Sequence, residues 1–243
     1  GLIQRGLEKE SLRISPEGKL ALTPHPESLG SALCHPAITT DYSESLLEFI
    51  TPVHQSIGSC LADLNDIHHF TYHNLASQNE LLWTASMPCQ LVKSADIPIA
   101  QYGNSNVAKM KTVYRHGLGH RYGKIMQTIS GIHYNFSLPE KFMAKYQQLL
   151  ADNSTMQDFK TSQYLGLIRN FHRHVPIFIY LFGSSPAICR SFLQGQSHQL
   201  VTDDDHSWYG KHATSLRMGD LGYQSKAQQN LFICYNNLEN YIS

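Results

Sequence analysis

The sequence predicts an α+β fold, a sheet flanked by helices, on three observations. Segments around residues 6–13, 43–53 and 127–138 alternate side-chain character at the period of two that a strand requires. Residues 57–74 carry apolar side chains at helical spacing, and 107–126, 159–182 and 227–242 also read as helices. At 243 residues the chain can bury a full core, with no internal repeat, low-complexity tract or Gly/Ser linker to divide it. No internal domain boundary is therefore expected.

The first strand holds Gly6-Leu7-Glu8-Lys9-Glu10-Ser11-Leu12-Arg13. Positions i and i+2 share a face, which sets the Glu8 and Glu10 carboxylates side by side, roughly 6.5 Å apart along the strand. Two neighbouring anions repel and titrate upward unless a cation lies between them. A turn at Pro16-Glu17-Gly18 and a loop with Pro24, Pro26 and Gly30 lead to the second strand. There Leu46, Glu48 and Ile50 fall on one face and Leu47, Phe49 and Thr51 on the other. Glu48 is thus an acid in an apolar run, a candidate inward-facing ligand.

The helix at 57–74 carries Ile57, Cys60, Leu61, Leu64 and Ile67 at helical spacing, while His68, His69 and His73, one pair of them at i, i+4, read as its polar last turn, with no HExxH pattern. Residues 83–100 are expected to be loop and extended chain, broken by Pro88 and Pro98, before a turn at Tyr102–Asn106. The next helix carries Arg115, Arg121 and Lys124, and its glycines lack the GxxxxGK[ST] spacing of a phosphate loop. Residues 127–138 form the clearest expected strand. Thr128, Ile132, Tyr134, Phe136 and Leu138 take one side, and Gln127, Ile129, Gly131, His133 and Asn135 the other, a mixed polar face suited to lining a site. The 159–182 helix is expected to bend or break at Pro176. Asp203-Asp204-Asp205 reads as a solvated loop.

Lys+Arg and Asp+Glu both total 19, so no basic excess exists to hold a nucleic acid. The five cysteines are widely spaced without a CxxC pair and read as reduced, cytoplasmic thiols. The longest apolar run, Val175–Phe182, is far short of a membrane span, so no membrane partner is expected. The remaining candidates gather into one set: Glu8, Glu10, Asp41, Glu48 and His133. Four carboxylates and an imidazole without thiolate favour magnesium or manganese over zinc or copper, and such clusters handle phosphates.

These residues lie within longer motifs. They are Arg5-Gly6-Leu7-Glu8-Lys9-Glu10-Ser11-Leu12-Arg13, Thr39-Thr40-Asp41 with Leu47-Glu48-Phe49-Ile50-Thr51-Pro52, Ser86-Met87-Pro88-Cys89, and Gln127-Thr128-Ile129-Ser130-Gly131-Ile132-His133-Tyr134-Asn135-Phe136. Ser185-Pro186-Ala187-Ile188-Cys189 and Thr214-Ser215-Leu216-Arg217 with Asp220-Leu221-Gly222-Tyr223 follow in order. With these motifs the chain resembles the proteobacterial glutamate-cysteine ligases over essentially its whole length.

The resemblance implies a curved, largely antiparallel sheet related to glutamine synthetase, incomplete here. It implies an ATP-dependent reaction in which the side-chain carboxylate of L-glutamate is phosphorylated and the L-cysteine amine attacks the acyl phosphate. It further implies Glu8, Glu10, Glu48 and His133 as metal ligands for Mg2+ or Mn2+, with Asp41 either a ligand or an acid standing behind one. Arg217 is implied to pair with the α-carboxylate of glutamate, and Tyr114, Arg115, Tyr223 and Ile129 to line the substrate site. Family members are about twice as long, and their later half supplies another metal-binding carboxylate and much of the nucleotide site. With Gly1 opening directly into a strand, the chain is expected to be the N-terminal portion of one catalytic domain, truncated at both ends. Two alternatives accompany this reading: a non-catalytic amino-acid- or metal-binding module, and the ligase part of a glutathione-synthesising fusion.

Overall fold

Strand β1 (Gln4–Ile14) organises the molecule, because it is long enough to pair with different neighbours along its length. The computed structural model describes residues 3–91, 93–194, 196–219, 221 and 233–242. The further strands are β2 (Ile38–Thr40), β3 (Leu46–Ile50), β4 (Leu81–Leu82), β5 (Ile132–Ser137), β6 (Ala187–Cys189), β7 (Val201–Thr202) and β8 (Ser207–Tyr209). The helices are α1 (Ile57–Leu75), α2 (Asn106–Tyr122), α3 (Glu140–Leu149), α4 (Met156–Phe182) and α5 (Leu238–Ile242). The mixture of helices and antiparallel sheet matches the expected class, and the sheet is open.

The main sheet runs β2-β3-β1, with β5 and then β4 along the other edge of β1, every pairing antiparallel. The register sets Glu10 opposite Glu48 and Glu8 opposite His133, while Thr39 of β2 faces Glu48 from the other side. A second, three-stranded sheet has the order β6-β8-β7.

Alternation assigns the two faces of the main sheet to different work. Leu47 and Phe49 of β3 are fully buried beneath α1, in a cluster with Leu29, Ile38 and Leu75. On the opposite face Leu12, Ile14 and Leu46 enter the larger core with Met87, Ile129 and Phe192. Burying side chains of this size contributes about 2 kcal/mol each, which fixes the register, since a slip of one residue would exchange the faces. Helix starts are set locally. Ser56 accepts from the Ser59 N–H at 3.0 Å, Ser105 from Ala108 at 3.2 Å and Thr155 from Asp158 at 3.2 Å, each satisfying a donor that the first helical turn leaves open.

Several expectations need correction. The strand expected over 127–138 begins at Ile132, because Met126–Thr128 closes a 3-10 turn in which the Gln127 and Thr128 N–H groups reach back to Lys124 and Ile125. Helix α4 runs unbroken through Pro176, which removes one N–H from a segment held by many other helical bonds. Helix α3 is absent from the sequence reading. Of the helix expected over 227–242, only Leu238–Ile242 is seen, residues 222–232 lying outside the described part.

Candidate metal centre

The face of β1 that carries Leu12 and Ile14 into the core carries Glu10 and then Glu8 beyond it, so the apolar interior gives way to acid within two positions. Because β3 and β5 flank β1 in the registers above, Glu48 and His133 arrive on the same face. One ligand atom each of Glu8, Glu48 and His133 lies within 4.8 Å of the others. Glu8 Oε2 and His133 Nδ1 are 3.0 Å apart. In the neutral tautomer that makes this bond Nδ1 carries the proton, which leaves the lone pair of Nε2 for another partner.

The electrostatics of the cluster are those of acids short of positive charge. Burial, and then the charge of Asp41, push Glu10 up to about 7, against the Gly131 N–H that donates to its Oε2 at 2.6 Å. Burial, followed by Asp41 and Glu8, raises Glu48 in the same direction. Burial also raises Asp41, with the Arg115 guanidinium opposing it. A carboxylate shifted upward is one whose charged form lacks compensation. An all-oxygen set with one imidazole, unsatisfied in this sense, fits a hard divalent cation such as Mg2+ or Mn2+.

Arg217 lies at the rim of this cluster, in a 3-10 turn anchored by the buried Leu216, whose N–H bonds Ser185 O at 2.7 Å. Gly131 shows how close the groups come. A Cβ built there would lie 3.3 Å from Arg217 Nη2, 3.5 Å from Glu10 Oε2 and 3.6 Å from His133 Nε2, so a side chain at 131 would fill the space where they converge.

The structure thus brings together Glu8, Glu10, Asp41, Glu48, His133 and Arg217. Arg115 is engaged with the backbone, its Nε donating to Asp41 O while its guanidinium lies 4.7 Å from the Tyr102 ring. It therefore positions the Asp41 segment. Tyr114 is 63% exposed on α2, and Ile129 is buried in the larger core. Tyr223 lies outside the described residues. Sequence reasoning did not single out Asn135, whose Nδ2 donates to Glu8 Oε1 at 2.9 Å. Its signal was already visible in the shared face of Gly131, His133 and Asn135.

Comparison with known proteins agrees with this geometry. The family model described as glutamate-cysteine ligase matches residues 2–243. A glutamate–cysteine ligase of Alcanivorax borkumensis is 56% identical over 241 residues, covering 99% of this chain and 46% of that protein. One from Saccharophagus degradans is 53% identical, covering 99% and 45%. Among solved structures, a Francisella tularensis glutamate–cysteine ligase in complex with AMP superposes with a TM-score of 0.90 at 39% identity, covering 99% of this chain and 46% of that one. A bifunctional glutathione synthetase from Pasteurella multocida gives 0.84 at 30%, covering 99% and 29%. The chain spans about half the length of the curated relatives it matches. With the acid cluster in register and the match running from residue 2 to residue 243, the chain belongs to the glutamate-cysteine ligase family.

Proposed function

We propose that this chain is the N-terminal portion of an ATP-dependent ligase that joins the γ-carboxylate of L-glutamate to the amine of L-cysteine, releasing ADP and phosphate. The observation that carries the reading is the convergence of Glu8, Glu48 and His133 beside Arg217, in a chain of this family. Glu8, Glu10, Asp41, Glu48 and His133 would hold Mg2+ or Mn2+. A bound divalent ion there supplies positive charge for the transferring phosphoryl group of ATP.

This chain's own residues do the positioning. Arg217, a planar fork of donors, suits the α-carboxylate of glutamate and would hold the substrate with its γ-carboxylate toward the acids. Gly131 keeps the space between them open. Phosphorylation is the step that needs this arrangement, since a carboxylate is a poor electrophile and its acyl phosphate a good one. Attack by the cysteine amine then forms the amide and expels phosphate. Tyr114, Arg115, Tyr223 and Ile129 are the proposed surroundings of the substrates, with Arg115 acting through Asp41.

The glutamine synthetase-like curvature of the sheet and a cytoplasmic location belong to the same proposal, as does the absence of nucleic-acid and membrane partners. No helix among the described residues is long and apolar enough to cross a membrane. The test is ADP release by the full-length protein, which should require L-glutamate, L-cysteine and a divalent ion together. Release with a different amine but not with cysteine would overturn the substrate assignment.

A further inference from the structure

The Glu8 carboxylate is gripped at both oxygens, and both grips come from β5. His133 takes Oε2 and Asn135 takes Oε1. The two partners differ in kind. His133 sits directly across from Glu8 in the register and is itself a proposed ligand, while Asn135 sits across from Gly6, two pairs further along and so on the same face. A direct neighbour on the facing strand would ordinarily meet the Asn135 side chain. Because Gly6 has none, the amide is free to lean diagonally across the vacant position to Glu8.

We propose that Asn135 is a positioning residue for the metal centre, fixing the Glu8 carboxylate in its ligating orientation, and that Gly6 is kept side-chain-free so that it can. The inference rests on the metal-site reading above and deepens it. An amide suits the task because it donates through Nδ2 without adding a charge that would compete for the cation or repel the acids. One donated bond occupies one lone pair of Oε1 and leaves the others open toward the cluster. Groups that orient ligands in this way typically set metal affinity by about 10–100-fold. Asn135 is exposed and belongs to no core cluster, so removing its amide leaves the packing intact. A Cβ at Gly6 would approach nothing nearer than 3.6 Å, so a strand-compatible side chain fits there too.

The experiment is Mn2+ titration of the full-length protein, followed by the loss of the free-ion electron paramagnetic resonance signal, with the metal-free thermal midpoint measured in parallel. Asn135→Ala should weaken Mn2+ binding by about 10–100-fold with the midpoint held within about 2 °C. Gly6→Thr, which keeps the amide but places a branched side chain in its path, should weaken Mn2+ binding in the same direction. Wild-type affinity in both variants would overturn the proposal while leaving the metal site standing. A fall in the metal-free midpoint that accounts for the lost affinity would also overturn it, as a structural role. Failure of the wild-type protein to bind Mn2+ would sink the metal-site reading itself, and the proposal with it.

Discussion

Glu10 sits where an apolar core meets an acidic surface, and in the metal-free chain those surroundings oppose its charge. Its carboxyl is raised to about 7 from an ordinary 4.5, so the folded state keeps a proton that the unfolded state releases between those values. The stability linked to it is fully present below pH 4.5 and is lost as pH rises through about 7, by up to about 3 kcal/mol. Glu48 and Asp41 are shifted the same way. The thermal midpoint of metal-free protein should therefore fall between pH 5 and pH 8, and millimolar Mg2+ should restore it at the upper end. A profile that is flat with and without Mg2+ would contradict this account of the acids. Glu48→Gln separates chemistry from folding, because Leu47 and Phe49 still pack beneath α1. Turnover should drop by at least about a hundredfold, as expected when a group worth several kcal/mol to phosphoryl transfer is lost. Calorimetry should show the metal-free protein no less stable than wild type. Near-normal turnover at millimolar Mg2+ would remove Glu48 from the site.

β1 works as an element only if both its ends are held, and the end away from the acids is held by a buried ion pair. Arg13 is fully buried, and its Nη1 meets Glu80 Oε2 at 2.6 Å and Thr23 Oγ1 at 2.6 Å, while Nη2 reaches Thr23 O and Glu44 O. Glu80→Ala leaves that guanidinium buried without its anion, which should cost about 3–5 kcal/mol of stability, measurable by urea unfolding. A loss under about 1 kcal/mol would mean that the pair behaves as an exposed one. Elements with strong local patterns were legible in the sequence: β1 and β3 through alternation, α1 through its apolar stripe. The 126–128 turn was not, because Thr128 and Ile129 favour a strand and only the backbone bonds to Lys124 and Ile125 show the turn. Pro176 does not break α4, since a helix of 27 residues absorbs one missing donor. At the site, alternation found His133 on the correct face. It could not say that Arg115 is spent on the Asp41 carbonyl, because that contact joins α2 to the turn after β2 and has no local signature.

At the scale of the whole molecule, surface area is the telling quantity. The chain presents 15332 Å2, where a compact monomer of 27.5 kDa presents about 11,000 Å2. Part of the excess is apolar. Ile132, Tyr134 and Phe136 stand exposed on β5, as do Phe171, Phe178 and Phe182 on α4. Open strand edges and apolar patches of this kind drive self-association. The 243-residue chain expressed by itself should sediment as oligomers or aggregates, and sedimentation as a stable monomer with ligase turnover would contradict that expectation. The central proposal, however, concerns chemistry: in the full-length protein the acid cluster and Arg217 would serve phosphoryl transfer to the γ-carboxylate of glutamate. The most direct measurement follows oxygen. With the full-length protein, L-glutamate carrying 18O in its γ-carboxylate, ATP, Mg2+ and L-cysteine, the acyl phosphate route requires one labelled oxygen to leave with phosphate. Mass spectrometry should find one 18O in each inorganic phosphate formed, alongside ADP. Unlabelled phosphate with product still forming, or AMP and pyrophosphate in place of ADP and phosphate, would contradict it.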